Sequence, residues 1–175
     1  IKPANIFLAE KDDEIVVKIL DFGIAKIQPD AAWKPGESTL TQTGALMGSP
    51  LYMSPEQARG KTNIDHRADL YSLGVVLYRM LAGRTPFQEI EAFGDLIITI
   101  CSQPAPPIQD HAPWVPAAVA EVVHHALRTH PSARHQSAAE MLAELEKLRP
   151  ADFRLARDQL LSLDEQARSS VATKA

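Results

Sequence analysis

The sequence predicts an α+β fold that is mostly helical, with one β-hairpin ahead of a group of helices. Two short runs of β-favouring residues, at 6–8 and 16–20, are separated by a charged turn, which is typical of a hairpin. From residue 70 onward the apolar residues recur at three- and four-residue steps, which is the period of an α-helix. Hydrophobic residues make up 45% of the 175-residue chain, enough for one domain with a buried core.

The strongest helical pattern follows Asp69 and stops before Gly83, a residue type that commonly ends helices. Apolar residues lie nearly all round this helix, so we expect it at the centre of its domain. Three further helices are predicted at residues 90–101, 116–128 and 137–148.

Local signals support the starts of the last two helices. Pro116 stands in a first helical turn, where a missing N–H is tolerated. Ser137 and Glu140 have the spacing of a capping box, in which each side chain bonds the other residue's backbone N–H. Residues 25–54 show no period, and a loop of about thirty residues is uncommon in a compact domain unless it is functional or disordered.

The composition becomes polar beyond residue 150. Residues 153–167 keep the spacing of a short amphipathic helix, and residues 169–175 are predicted to be disordered. We therefore divide the chain into a domain at 1–149 and a tail at 150–175. A frayed extension and a regulatory or dimerising segment both stay open for this tail.

Charge and composition exclude several classes of function. The formal net charge is −4 and the basic residues are scattered, so we expect no nucleic-acid partner. No apolar stretch approaches the roughly 20 residues that cross a bilayer, and we expect a soluble, cytoplasmic domain without membrane contact. Cys101 is the single cysteine and is predicted to be a small core residue. The six histidines lack metal-ligand spacing, since His124 and His125 are adjacent and the rest are dispersed.

Four short motifs carry the candidate chemistry. Lys-Pro-Ala-Asn at 2–5 is followed by Asp-Phe-Gly at 21–23, Gly-Ser-Pro at 48–50 and Ser-Pro-Glu at 54–56. One such triplet occurs by chance, whereas four in this order and spacing are a specific signal. Through them the chain resembles the C-terminal lobe of a protein kinase, and in particular the bacterial serine/threonine kinases of the eukaryotic-like class.

The resemblance implies a short hairpin, an activation segment and a helical bundle, with the N-terminal lobe absent from the printed sequence. Ile1 takes the place of the Leu in His-Arg-Asp-Leu, so we expect a longer protein whose catalytic Asp directly precedes Ile1. The Gly-rich loop and the phosphate-binding Lys belong to that upstream lobe. We therefore expect the 175-residue polypeptide alone to bind ATP weakly and to transfer no phosphate.

The resemblance also assigns the reacting groups. Asp21 and Asn5 would hold Mg²⁺, or Mn²⁺ in its place, against the ATP phosphates, because carboxylate and amide oxygens are hard ligands. Lys2 would stabilise the charge of the transferred phosphoryl group, and the hydroxyl of Ser49 would help to place the acceptor. The same residues favour serine and threonine of protein substrates over tyrosine. Taken singly, these residues have plain alternatives: a turn Asn, a strand-end Asp and a surface Lys.

Supporting roles follow from the same resemblance. Glu56 would pair with Arg134 inside the protein and anchor the activation segment. Asp69 would accept backbone N–H groups of the catalytic loop, or would act as a simple N-cap. Thr41 and Thr43 match activation-loop phosphoacceptors, with solvated loop threonines as the alternative.

Two functions of different classes remain at this stage. One is an active serine/threonine kinase that works with its own upstream lobe and can form a kinase dimer. The other is a pseudokinase or truncated interaction module. The intact set of Lys2, Asn5, Asp21 and Ser49 favours the enzyme, because a scaffold has no physical need for it.

Overall fold

The computed structural model describes residues 1–11, 14–20 and 50–149. Strands β1 (Ile6–Lys11) and β2 (Glu14–Ile19) form the predicted hairpin, an antiparallel pair with Ile6 opposite Ile19. Several of its apolar side chains are more than a third exposed: Phe7, Leu8, Val16, Val17 and Ile19.

Five α-helices make up about half of the remaining described chain. They are α1 (Pro55–Ala58), α2 (Arg67–Ala82), α3 (Phe93–Ser102), α4 (Ala117–Ala126) and α5 (Ala138–Leu148). Short 3-10 turns lie at Pro3–Asn5, Pro50–Tyr52, Ile108–Asp110 and Pro131–Ala133. The fold is therefore the mostly helical α+β arrangement that the sequence predicts.

Helix α2 lies at the centre, as its apolar composition predicts. It packs against α4 and against the turns at Pro50–Tyr52 and Ile108–Asp110. Its large buried apolar side chains are Leu70, Tyr71, Val75, Val76 and Tyr78. Burial is not complete all round, because Met80 near the C-terminal end is 75% exposed.

Two glycines shape this helix. Gly83 ends it with φ 75°, in the left-handed region that glycine adopts without strain, and its N–H donates to the Arg79 carbonyl at 2.8 Å. Gly74 faces α4 so closely that an added Cβ would lie 2.9 Å from the Cβ of Ala126. The approach of α2 to α4 therefore depends on the missing side chain at Gly74.

The predicted helix starts differ from the observed ones by one to three residues. Helix α2 begins at Arg67, three residues before its predicted start, and Ser137 is the N-cap of α5 and not its first residue. Helix α3 begins at Phe93 instead of Ile90, because Ile90 ends a preceding turn and packs on the same apolar cluster as Leu96 without being helical. Helix α4 begins after Pro116, whose ψ of 142° is extended, so this proline is the N-cap and not a first-turn residue. The predicted end at Arg128 is also too late, since α4 ends at Ala126.

The predicted capping box at α5 is half present. The Oγ of Ser137 accepts the N–H of Glu140 at 3.1 Å. The Glu140 carboxylate, however, accepts the N–H of Gln136 at 2.6 Å in place of the Ser137 N–H. Cys101 is only partly buried, so its prediction as a core residue is not met in full, and its Sγ lies 3.6 Å from the Pro55 carbonyl.

Several predictions lie outside the described residues, namely the loop up to residue 49 and the tail from residue 150. Among the described helices, none combines the length and the apolar content needed to cross a bilayer.

Candidate active site

The Lys-Pro-Ala-Asn segment forms a tight loop that is bonded to the hairpin. The N–H of Asn5 donates to the Lys2 carbonyl at 2.9 Å and closes the 3-10 turn. The carbonyl of Asn5 accepts the N–H of Leu20, also at 2.9 Å. Since Leu20 immediately precedes Asp21 in the sequence, this bond ties the loop to the strand from which the Asp-Phe-Gly motif follows. Lys2 and Asn5 are both half-buried.

Asp69 approaches the start of this loop. Its Oδ1 lies 3.6 Å from the backbone nitrogen of Ile1, and its side chain is 59% exposed. It stands in the first turn of α2, whereas the N-cap position belongs to His66, which makes no side-chain cap bond. The simple N-cap alternative for Asp69 is therefore wrong.

Glu56 and Arg134 meet inside the protein, 78 positions apart in the sequence. Two parallel hydrogen bonds of 2.8 Å join the guanidinium to the two carboxylate oxygens. The Arg134 side chain is 0% exposed and that of Glu56 is 7% exposed. Such a two-point contact is the strongest geometry available to this pair of groups.

The rest of the Arg134 guanidinium is also satisfied. It donates to the backbone carbonyls of Arg128 at 2.6 Å, Arg67 at 2.9 Å and Thr129 at 3.0 Å. It also lies over the ring of Tyr71, 4.9 Å from the centroid. The buried cation therefore joins α1, the start of α2 and the turn after α4.

The surroundings of Glu56 act on its pKa in opposite directions. Burial is the largest single influence and raises the pKa, but the hydrogen bond and charge of Arg134, a backbone hydrogen bond and Ser54 together lower it. The net pKa lies below its ordinary value. The carboxylate is therefore ionised at neutral pH.

Comparison with known proteins decides the family. The protein kinase domain model matches residues 1–172. The chain belongs to the protein kinase family.

The similar proteins are bacterial kinases. This kinase chain is 41% identical over 169 residues to a probable serine/threonine-protein kinase of Corynebacterium efficiens, covering 94% of the chain and 24% of that protein. It is 43% identical over 150 residues to the serine/threonine-protein kinase PknB of Mycolicibacterium smegmatis, covering 83% and 22%. For the serine/threonine-protein kinase pkn3 of Myxococcus xanthus the identity is 39% over 148 residues, covering 83% and 26%. The chain thus spans about a quarter of the length of these curated relatives.

The kinase motif Ser-Pro-Glu contains a helix start that sequence reasoning missed. Ser54 is the N-cap of α1, with its Oγ accepting the N–H of Gln57 at 3.4 Å. The Gln57 side chain in turn accepts the N–H of Ser54 at 2.9 Å. The spacing Ser-x-x-Gln is itself the capping-box signal, so it was available in the sequence. This capping box fixes the first turn of α1, in which Glu56 lies within hydrogen-bond distance of Arg134.

A second feature missed from the sequence is the support of Tyr52. The Oγ of Ser72 on α2 donates to the Tyr52 carbonyl at 2.7 Å. Two turns of α2 further on, Arg79 donates to the Tyr52 hydroxyl, also at 2.7 Å. Helix α2 therefore holds the segment that begins at Pro50, directly after the Gly-Ser pair of the third kinase motif.

The described structure thus brings together Glu56 with Arg134, and Asp69 with the loop that carries Lys2 and Asn5. The other predicted site residues lie outside the described residues: Asp21, Thr41, Thr43 and Ser49.

One polar cluster lies away from these motifs, where sequence spacing predicted no metal ligands. His125, His135 and Glu144 bring one ligand atom each to within 4.8 Å of one another. The pKa of Glu144 is lowered, first by its hydrogen bond with His135.

Proposed function

We propose that the protein containing this chain is a serine/threonine kinase that transfers the γ-phosphate of ATP to serine and threonine hydroxyls of protein substrates. The single observation that carries the proposal is the hydrogen bond from Leu20 to Asn5. It joins the Lys-Pro-Ala-Asn loop to the strand that leads into Asp-Phe-Gly, so the two motifs start from one fixed point. Family membership and the names of the relatives support the same activity.

The donor chemistry fits a divalent cation with hard character. Asn5 offers an amide oxygen and Asp21 a carboxylate, the ligand types that Mg²⁺ prefers and Mn²⁺ accepts. When bound with ATP, the ion neutralises negative charge on the phosphates. Asn5 and Asp21 are therefore proposed as the metal- and nucleotide-binding pair.

Lys2 and the substrate hydroxyl complete the proposed reaction. The hydroxyl oxygen attacks the γ-phosphorus, the bond from that phosphorus to the bridging oxygen breaks, and ADP leaves. Lys2 offers an ammonium charge where the transferred group gains negative charge. The hydroxyl proton passes to the carboxylate of the family's His-Arg-Asp motif.

The buried pair and the α2 contacts support substrate placement. Ser49 directly precedes the turn that begins at Pro50, and Tyr52 in that turn is held by α2. Glu56 and Arg134 fix the chain four residues further on. We propose that these contacts anchor the end of the activation segment, so that the Ser49 hydroxyl can orient the acceptor.

Family membership supports a proposal about regulation and cellular setting. We propose that Thr41 and Thr43 are phosphorylated by a second copy of the kinase, since a phosphate adds about −1.5 to −2 charge and three acceptor oxygens that can order a loop. We also propose that an upstream lobe is the intramolecular partner and that the domain works in the cytoplasm, where ATP is available.

The test is a phosphoryl-transfer assay on the full-length protein with radiolabelled ATP and a generic protein substrate, followed by phosphoamino-acid analysis. Wild type should yield phosphoserine and phosphothreonine. Lys2→Ala and Asp21→Asn should each lose orders of magnitude in rate. Lys61→Ala is the matched control and should retain wild-type activity, because it removes only an exposed side chain and keeps the backbone N–H that donates to the Glu56 carbonyl.

Each outcome separates the alternatives. Phosphotyrosine as the main product would overturn the substrate class, and full activity of either site variant would overturn the assigned site. Absence of transfer in a folded full-length protein would favour the pseudokinase. Peptide mapping after the same incubation should find phosphate on Thr41 and Thr43 in wild type but not in Asp21→Asn. The 175-residue polypeptide expressed alone should show no transfer.

A further inference from the structure

We propose that His125, His135 and Glu144 form a binding site for a transition-metal ion of the Zn²⁺ class, remote from the kinase motifs. His125 lies near the C-terminal end of α4, His135 in the connection between α4 and α5, and Glu144 in α5. An ion held by all three would link the last two helices of the described fold.

The distances suit a single small cation. Oε2 of Glu144 lies 3.0 Å from Nε2 of His135 and 3.6 Å from Nδ1 of His125. Zinc binds imidazole nitrogen at about 2.0–2.1 Å and carboxylate oxygen at about 2.0–2.2 Å, so tetrahedral ligands lie about 3.4 Å apart. The two measured separations bracket that value, and all three ligand atoms fall within 4.8 Å of one another.

The ligand set selects the class of metal. Two imidazoles and one carboxylate are used by zinc sites that keep one coordination position open. Mg²⁺ and Ca²⁺ instead prefer shells of oxygen, which this cluster does not provide. The opening is present, because His125 and Glu144 are each about one-third exposed, at 34% and 32%, on a surface groove between α4 and α5.

The scaffold is rigid at the buried ligand. The His135 side chain is 0% exposed, and it directly follows Arg134, whose guanidinium is fixed by five hydrogen bonds. The His125 and His135 rings lie 4.0 Å apart between centroids. Two of the three ligands are therefore held side by side before any ion arrives, which reduces the entropy cost of binding.

Two features set the expected affinity below that of a structural zinc site. Nδ1 of His135 is buried without a hydrogen-bond partner among the described residues, whereas metal-bound imidazoles usually pass that N–H to an acceptor. Arg128 and Lys147 line the same groove and oppose a cation. A missing acceptor for the N–H of a metal-bound imidazole costs about 10–100-fold in affinity, so we expect a dissociation constant roughly in the micromolar range.

The experiment is a Zn²⁺ titration of the full-length protein, purified without a histidine tag and stripped with chelator, in excess MgCl₂ to occupy oxygen-rich sites. Calorimetry should give one Zn²⁺ per chain, and Co²⁺ should give the visible absorption of a tetrahedral nitrogen–oxygen site. His125→Ala and Glu144→Gln should each weaken Zn²⁺ binding by at least tenfold and remove the Co²⁺ band. His130→Ala, at an exposed histidine outside the cluster, is the matched control and should change neither.

His125 and Glu144 are partly exposed, so their variants should fold, whereas the buried His135 is left unchanged. Thermal unfolding checks this and adds a second readout, because saturating Zn²⁺ should raise the Tm of wild type by on the order of 5 °C and leave the His125→Ala Tm unchanged. Absence of stoichiometric binding, or equal binding by wild type and both cluster variants, overturns the proposal. Neither result bears on phosphoryl transfer, which is measured separately.

Discussion

Replacing Arg134 by alanine should be among the most damaging single substitutions in the described part of the chain. The change removes both 2.8 Å bonds to Glu56 and three bonds to backbone carbonyls. It leaves a carboxylate that is 5% exposed without its counter-charge. Breaking a buried ion pair by removing one partner costs roughly 3–5 kcal/mol. Because whole domains are stable by only about 5–15 kcal/mol, the variant should lose a large share of its stability.

The mirror substitution, Glu56→Gln, should cost less. It keeps the shape and one acceptor for the guanidinium, which also retains three backbone carbonyl partners. A loss of about 1–3 kcal/mol is expected, the penalty of an imperfectly satisfied buried polar group. The double variant Glu56→Gln, Arg134→Met should be less destabilised than the sum of its single changes, with a coupling of about 0.5–3 kcal/mol.

The measurement is the free energy of unfolding of the kinase domain by urea, followed by circular dichroism and tryptophan fluorescence. Arg128→Ala removes an exposed arginine from the neighbouring turn while keeping the carbonyl that Arg134 uses, and it should stay within about 0.5 kcal/mol of wild type. Stability of Arg134→Ala within about 1 kcal/mol of wild type would refute the reasoning, because it would mean that water replaces the pair at little cost.

Three further predictions concern stability. Gly74→Ala should destabilise the domain by about 1–3 kcal/mol, less the small gain in helix propensity, because the new Cβ would lie 2.9 Å from the Cβ of Ala126. Gly94→Ala is the control, since that helical glycine has open space around it. Equal unfolding midpoints of the two variants would refute the close-packing argument. Ser54→Ala should cost about 0.5–2 kcal/mol through the lost cap of α1, and unchanged stability would show the cap to be dispensable. The pKa of Glu56 is lowered from 4.5, so the stability that its ionised carboxylate contributes is present above pH 4.5 and is lost as the pH falls through the lowered pKa. The free energy of unfolding of wild type should therefore fall more steeply below pH 4.5 than that of Glu56→Gln. Parallel pH profiles of the two proteins would contradict this.

Much of the helical architecture could be predicted from local pattern. The apolar period predicts α2 and Gly83 predicts its end, although the helix begins three residues earlier than predicted, at Arg67. The hairpin follows from two β-favouring runs around a charged turn. The start of α3 was predicted too early, because a residue outside the helix has the same apolar spacing as the residues within it. Ile90 has the helical spacing of its neighbours because it shares their apolar cluster, yet its backbone belongs to a turn.

Some contacts of the candidate site could also be predicted from the sequence, and others could not. The pairing of Glu56 with Arg134 could be anticipated only through the family resemblance, because no periodicity links residues 78 positions apart. The contacts of Ser72 and Arg79 with Tyr52 had no sequence signal, since each is an isolated polar residue in a helix that is apolar nearly all round. The cluster of His125, His135 and Glu144 was missed because its ligands lie on three separate segments, whereas spacing rules detect ligands within one.

The start of α2 is the physical link between the fold and the candidate site. Within six residues, the helix offers the carbonyl of Arg67 to Arg134, the carboxylate of Asp69 to the loop at Ile1, and the hydroxyl of Ser72 to Tyr52. Each contact reaches a different segment: the buried ion pair, the Lys-Pro-Ala-Asn loop and the turn after Ser49. A shift of this helix would therefore displace all three together. Two residues after Ser72, Gly74 packs closely against Ala126 of α4, and this contact sets the position of the helix and so acts on each of these segments at once.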